Sequence, residues 1–354
     1  MPLDPVFAAR LRAHRRYLLA QAVKGLRDRM PTVLRPRGRA AVPNGASAAE
    51  TSRTSNSAAK RARHRRAALA WDRAELDAVG VPGPHVAISE HTVPVPGWPA
   101  VRVRLYRPPG SEQRVLPAVV NFFGGAFRIG GIDYPGTDAA ARRRAVDADI
   151  VVAVDYALAP EHKYPTAVHQ GCAAVDWVFA QANELFIDPD RIGISGTSSG
   201  GAIAAAVTLR NRDGAHHDIR RQVLEVPITD LTVRHKDLRA VWALGIPAIV
   251  AARELRSVTR TYLRASADAK EPTASPLRAA SHAGLPPALI LTAEYDPLRG
   301  DGAAYGAALR AAGVAATTVR YQGVTHDAPL FAGVLPAARS WHEQVVAELR
   351  RLHE

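Results

Sequence analysis

The residues best suited to covalent chemistry in this 354-residue chain lie in Gly196-Thr197-Ser198-Ser199-Gly200, a serine framed by glycines. The polar turn Asp188-Pro189-Asp190 leads into a short apolar stretch that ends at Gly196. The helix formers Ala202-Ile203-Ala204-Ala205-Ala206-Val207 follow the glycines. Strand, Gly-x-Ser-x-Gly, helix describes a nucleophile elbow, a strained turn that lifts a serine hydroxyl clear of the top of a sheet. Gly196 and Gly200 are expected there because a Cβ at either place would crowd the turn. Alone, the five residues fit any tight strand-to-helix turn. A hydroxyl near its free pKa is also a poor nucleophile, so Ser198 needs an imidazole to take its proton and a carboxylate to fix the tautomer. His326 ends the run Val319-Arg320-Tyr321-Gln322-Gly323-Val324-Thr325-His326, and Asp296 sits in Leu291-Thr292-Ala293-Glu294-Tyr295-Asp296-Pro297-Leu298. Each would stand just past a strand, and the three in that order point to acyl transfer.

Acyl transfer also needs N–H donors where the tetrahedral intermediate's oxyanion forms, each worth ~3 kcal/mol. In Phe123-Gly124-Gly125-Ala126-Phe127 small residues directly follow a buried run, so bare backbone amides can approach a ligand. Asp301 and Asp327 are alternative carboxylates. Asp327 directly follows His326 and would have difficulty reaching back to its Nδ1, so Asp296 is preferred. His216-His217 beside Asp218 has no third ligand at metal spacing and reads as a solvated loop, so no metal site is expected. No glycine-rich loop carries the lysine of a phosphate cradle. The chemistry itself calls for no cofactor.

The elements that must position these groups alternate along the chain. A helix from about Ala67 through Leu76 closes at Gly80-Val81-Pro82-Gly83-Pro84. Two alternating runs, Val86 to Val95 and Val101 to Tyr106, read as an antiparallel hairpin across Pro96-Gly97. Strands are predicted at 118–123, 150–155, up to Gly196, 223–228, 288–292 and 317–321. Helices over 139–145, 167–185 and from the elbow to about Arg210 fall between the earlier of them. This alternation predicts an α/β fold with a mainly parallel, doubly wound sheet whose ligands bind at the strands' carboxyl ends. Residues 229–275 break it, with helical pattern only, including the apolar Val241-Trp242-Ala243-Leu244-Gly245-Ile246-Pro247-Ala248-Ile249-Val250. Such a length exceeds a crossover and reads as an insertion. Over the carboxyl edge it would be a lid; an ordinary pair of core helices fits these residues equally well.

Composition narrows the classes. Residues 1–70 hold 16 Lys and Arg against 3 Asp and Glu, and the remaining 284 residues hold 30 of each. The basic character therefore belongs to a tail, not to the body, which argues against a nucleic-acid-binding domain. Residues 4–30 space Phe7, Leu11, Leu18, Ala22, Leu26 and Met30 as a basic amphipathic helix, so 1–34 is set apart as an N-terminal helical segment. Such a helix packs on the body or makes weak contact with an anionic membrane surface. Residues 35–66, rich in Arg, Ala and Ser without periodicity, are expected to be a disordered linker, leaving 67–354 as the folded domain. The single Cys172 fits a reducing compartment, and no early run is long enough for a membrane span, so a soluble, cytoplasmic protein is expected. Oligomeric state, a homodimer included, is left open.

Five motifs in order extend the reading. Gly124-Gly125-Ala126-Phe127, Asp155-Tyr156-Ala157-Leu158-Ala159-Pro160-Glu161-His162, Gly196-Thr197-Ser198-Ser199-Gly200-Gly201, Asp296-Pro297-Leu298-Arg299 and Gly323-Val324-Thr325-His326 together resemble the hormone-sensitive-lipase-like (family IV) carboxylesterases of the α/β-hydrolase fold, over roughly residues 85–350. The resemblance implies an eight-stranded sheet with a helical cap, formed from parts of 1–80 and from 229–275. It implies Ser198 as nucleophile, His326 as general base, Asp296 as its partner and the amides of Gly125, Ala126 and Ser199 as the oxyanion hole. The expected activity is cofactor-free hydrolysis of small, short- to medium-chain apolar esters, lactones or acetylated compounds through an acyl-enzyme. Phe123, Phe127, Trp242 and Ile246 are the expected pocket residues. A non-catalytic small-molecule receptor on the same fold is the alternative. The family usually has His-Gly-Gly-Gly where this chain has Phe123-Gly124-Gly125-Ala126, and Gly-Asp-Ser-Ala-Gly is common where it has Gly-Thr-Ser-Ser-Gly. Ala126 is expected to strain the loop if it takes positive φ, and Phe123 removes an imidazole that would brace it. The Asp155–His162 stretch is read as a structural turn beside this loop.

Overall fold

The computed structural model describes residues 2–10, 12 and 46–354, and the chain divides into an N-terminal unit, Pro2–Ala68, and a body, Leu69–Glu354. Residues 5–10 are helical; the rest of the amphipathic helix expected over 1–34 lies outside the described residues, apart from residues 2–4 and 12. The expected linker at 35–66 is corrected in part. Residues 35–45 lie outside the described residues, but 46–66 belong to helix α1, Ala46–Val79. Ala and Arg are among the strongest helix formers, so a sequence without an apolar stripe still forms helix when its backbone propensity is high. Among the described residues no helix is long and apolar enough to cross a membrane.

The body is built on one eight-stranded sheet: β1 (Ala87–Val95), β2 (Trp98–Arg107), β3 (Leu116–Phe122), β4 (Ile150–Asp155), β5 (Ile187–Thr197), β6 (Ile219–Glu225), β7 (Ala288–Tyr295) and β8 (Ala316–Thr325). Their spatial order is β1-β2-β4-β3-β5-β6-β7-β8. The hairpin β1–β2 and the pair β2–β4 are antiparallel, and all other pairs are parallel. Every residue of β3 is buried, as the unbroken apolar run demands of a strand covered on both faces.

Helices α2 (Pro135–Asp147) and α8 (Pro336–Arg350) cover one face, where Arg144 and Trp341 both reach Glu225 of β6. Helices α3 (Thr166–Ala180) and α4 (Ser199–Asp213) pack together on the other face. There Gly171 leaves room for Val207 and the Phe122 ring: a Cβ added to it would come within 2.7 Å and 3.1 Å of them. Helix α7 (Arg299–Ala311) joins β7 to β8.

The chain passes from β3 to β4 on one side of β3 and later returns to β5 on the other. The carboxyl ends of β3 and β5 therefore form the point where winding reverses, the usual ligand crevice of such sheets. Between β6 and β7 lie α5 (Leu238–Ala243), α6 (Ala248–Tyr262) and 3₁₀ turns at Ser266–Lys270 and Pro276–Arg278. The apolar run 241–250 is split by Gly245-Ile246-Pro247 into the end of α5 and the start of α6.

Candidate active site

Register does most of the assembly. Phe122 of β3 is the parallel neighbour of Gly196 of β5, so the loop from Phe123 and the turn at Ser198 start side by side. Tyr295 of β7 is the neighbour of Thr325 of β8, so Asp296 and His326 are the next residues out of two adjacent strand ends.

Ser198 has φ 55° and ψ −113°, a region costly for a non-glycine residue. The chain around it leaves no alternative path. A Cβ on Gly196 would lie 2.3 Å from the Gly200 carbonyl oxygen, and one on Gly200 would lie 2.1 Å from that of Phe122. The two glycines are thus required by the closeness of backbone to backbone, as the sequence pattern implied. From this turn Ser198 Oγ lies 3.0 Å from His326 Nε2, and His326 Nδ1 lies 2.8 Å from Asp296 Oδ2. Asp296 is fully buried, and its other oxygen accepts the Leu298 amide at 2.8 Å. Burial by itself would push the His326 pKa down. The charge and hydrogen bond of Asp296, with Asp327 adding to them, outweigh that and hold it above the ordinary imidazole value. The rival carboxylate Asp301 is engaged elsewhere, ion-paired to Lys236 and accepting the Asp230 amide at 3.1 Å.

The loop after β3 is shaped differently. Gly125 has φ 152°, and a Cβ there would fall 1.8 Å from the Ile129 carbonyl oxygen. Ala126 and Phe127 follow at φ 53° and 61°, so the strain anticipated for Ala126 is present and is shared with its neighbour. Side chains from distant elements hold these angles. Tyr156 stacks on Phe123 with ring centroids 4.1 Å apart, donates its hydroxyl to the Phe123 carbonyl at 2.8 Å and lies 3.3 Å from Ser199 Oγ. Phe127 stacks on Tyr262 of α6 at 3.7 Å, and its carbonyl accepts the Ala159 amide at 2.8 Å. Arg128 pairs with Glu254 of α6. The stacked Phe123–Tyr156 pair thus does the bracing that the missing imidazole had seemed to remove. The amides of Gly125, Ala126 and Ser199 donate to no acceptor among the described residues, and that of Ser199 opens the 15-residue helix α4. Free donors at a helix N-terminus favour negative charge.

The four residues assigned to the pocket are spread more widely. Phe123 and Phe127 are buried against their tyrosines. Trp242 on α5 is 75% exposed, and Ile246 is half-buried. Sequence reasoning did not foresee Tyr156 as the loop's brace, nor Glu225 and Arg144 beneath the elbow. A carboxylate inside the apolar run Val223-Leu224-Glu225-Val226 was the signal for the second.

A serine, an imidazole and a carboxylate in hydrogen-bonded line, set at the switch point of an α/β sheet beside free amides, define a serine hydrolase of the α/β-hydrolase fold. A family described as having the alpha/beta hydrolase fold matches residues 119–330. Carboxylesterase NlhH of Mycobacterium tuberculosis is 38% identical over 275 residues, which are 76% of this chain and 83% of that protein. Ethyl acetate hydrolase of Pseudomonas putida is 34% identical over 266 residues, 74% of this chain and 79% of its own. The solved hyperthermophilic esterase from Pyrobaculum calidifontis superposes with a TM-score of 0.79 at 31% identity, covering 100% of this chain and 99% of that one. The chain belongs to the hormone-sensitive-lipase-like carboxylesterases of the α/β-hydrolase fold and is a carboxylic ester hydrolase. The comparisons lend no support to the non-catalytic receptor.

Proposed function

We propose that the enzyme hydrolyses small, short- to medium-chain apolar esters through an acyl-Ser198 intermediate. The observation that carries this reading is the line Ser198 Oγ, His326 Nε2, His326 Nδ1, Asp296 Oδ2, with gaps of 3.0 Å and 2.8 Å. His326 takes the Ser198 proton as Oγ attacks the ester carbonyl, then gives it to the leaving alkoxide. Water attacks the acyl-enzyme in the second half, with the proton again passing through His326. Asp296 holds the imidazole with Nε2 free to accept and stabilises the imidazolium. The amides of Gly125, Ala126 and Ser199 receive the oxyanion.

The preference for short chains is supported by the Ala126 methyl group and the Phe127–Tyr262 stack beside the proposed hole. It is also in keeping with the relative named as an ethyl acetate hydrolase. Residues 229–275 act as the cap in this reading. Their helix α6 packs on the oxyanion loop through Tyr262 and Glu254, and on the turn after β4, where Lys163 Nζ donates to the Leu263 carbonyl at 3.0 Å. Ile246, half-buried in this segment, would then meet the substrate's far end, whereas Trp242 is 75% exposed. A cytoplasmic location is in keeping with the single Cys172.

An acyl-chain series of p-nitrophenyl esters with Ser198→Ala as control tests the proposal. Loss of ~10³-fold or more in kcat is expected in the variant, with kcat/KM highest at short to medium chains. Full activity in Ser198→Ala, or no labelling of Ser198 by a fluorophosphonate, would sink the assignment. An optimum at long chains would sink only the substrate class.

A further inference from the structure

Beneath the elbow lies a charge with no place in the reaction scheme above. Glu225, the last residue of β6, is fully buried, and its carboxylate is completely engaged. Oε1 accepts from Arg144 Nη2 at 2.5 Å and from the Thr197 hydroxyl at 3.2 Å, while Oε2 accepts from the Trp341 indole at 2.8 Å. The same residue's backbone carbonyl accepts the Ser198 amide at 2.8 Å. Glu225 therefore grips two successive residues of the elbow, one by its side chain and one by its main chain. Arg144 extends the grip to Asn121 of β3 at 3.3 Å, and Asn121 in turn accepts the Ser195 hydroxyl at 2.8 Å. The helices α2 and α8 and the strands β3, β5 and β6 all meet in this network.

A buried ion pair is weak evidence of stabilisation, since packed apolar side chains of the same volume often serve as well or better. A backbone in a sparsely populated conformation, by contrast, persists only where its surroundings over-determine it. Ser198 at φ 55° is such a residue, and Glu225 bonds its amide directly through the main chain and the Thr197 hydroxyl beside it through the carboxylate. The arrangement also accounts for Thr197, where an aspartate is common in related elbows. A hydroxyl at this place donates to Glu225, whereas a carboxylate would be set against a second buried carboxylate.

We propose that Glu225 is a positioning residue for the nucleophile. Through Thr197 and the Ser198 amide it fixes the elbow rotation that aims Ser198 Oγ at His326 and the Ser199 amide at the oxyanion. This rests on the reading of Ser198 as nucleophile. Glu225 touches no reacting atom.

Removing the carboxylate outright would strand Arg144 in the core, so Glu225→Gln is expected to lose both stability and rate and does not discriminate. Thr197→Val is the informative change, because it cuts only the hydroxyl–carboxylate link and keeps the Arg144–Glu225–Trp341 set intact. Its kcat on p-nitrophenyl acetate is expected to fall about tenfold, as small misplacements of a nucleophile do. Its KM and melting temperature should stay near those of the native enzyme. The rate of Ser198 labelling by a fluorophosphonate should fall in parallel, and Thr197→Ser should restore kcat to within about twofold. A Thr197→Val enzyme with native kcat, a rise in KM alone, or a loss of rate that merely follows the folded fraction would each overturn the proposal. Ser198→Ala measured alongside separates the two ideas: its inactivity keeps the nucleophile in place whatever Thr197→Val does.

Discussion

The two glycine-rich turns at the heart of the site solve the same problem in different ways. The elbow at 196–200 must hold one non-glycine residue at positive φ. It does so by bringing backbone so close to backbone that only glycine fits at Gly196 and Gly200. The loop at 123–128 must hold two, Ala126 and Phe127, and it relies on the rings of Tyr156, just past β4, and Tyr262 of α6, and on the Ala159 amide. One turn is set by steric exclusion, from within itself at Gly196 and from the end of the neighbouring strand at Gly200. The other uses the same exclusion at Gly125, but its two non-glycine residues at positive φ lie among modest contacts from afar. A turn of the first kind should fail all at once when changed, and one of the second kind should fail by degrees.

The most severe test falls on the elbow. Gly200→Ala would place a Cβ 2.1 Å from the Phe122 oxygen and 2.4 Å from that of Phe123, both backbone atoms with nowhere to move. We expect a loss of about 4 kcal/mol or more in urea unfolding, together with activity. Native stability in this variant would break the contrast at its root.

Asp296→Asn comes next. It leaves the elbow standing but removes the charge behind His326, and kcat is expected to fall ~10⁴-fold with the circular dichroism spectrum unchanged. In the proposed mechanism His326 acts as base only when neutral, so kcat/KM should rise with pH through its pKa. Asp296 raises that pKa, and the acid limb of the native enzyme should therefore lie above the ordinary imidazole value of 6.5. A hydrolysis profile of an Asp296→Asn enzyme with residual rate should show this limb moved to lower pH. A limb that stays in place would mean another group titrates there.

On the loop side the expected losses are graded. Tyr156→Phe keeps the stack on Phe123 but removes the hydroxyl that meets its carbonyl, a bond worth about 1 kcal/mol. Steady-state kinetics should show a several-fold lower kcat with little change in KM. Loss of activity as complete as in the triad variants would mean that this loop, too, hangs on a single contact. The smallest effect is predicted for Ala126→Gly. Relief of the left-handed strain exceeds the added freedom of the unfolded chain, for a net gain of up to about 1 kcal/mol by thermal unfolding. A lower melting temperature would show that the methyl group packs more favourably than its backbone angle costs.

The N-terminal region shows where reading a sequence by apolar periodicity stops working. Residues 46–66 carry no apolar stripe, a pattern that predicts a linker, yet they lie in the helix that runs to Val79. Backbone propensity and apolar periodicity are separate signals, and a stretch rich in Ala and Arg carries only the first. The pocket is the other weak point. Trp242 and Ile246 are apolar residues of an inserted segment, but apolar character does not say which way such a helix turns, and Trp242 is 75% exposed.

By itself the sequence determined the strands, their alternation with helices, and the positions of Ser198, Asp296 and His326 just past three of them. These are local properties: buried strands need apolar runs, and the elbow's glycines are required by atoms only a few residues away or on the neighbouring strand. Tertiary structure alone decided what surrounds them. That Tyr156 braces Phe123, that Tyr262 of α6 stacks on Phe127, and that Arg144, Trp341 and Thr197 share one buried carboxylate depend on residues 28 to 135 positions apart. Which side chains meet across such separations follows from strand order and helix packing, and neither is written in any short stretch of the chain.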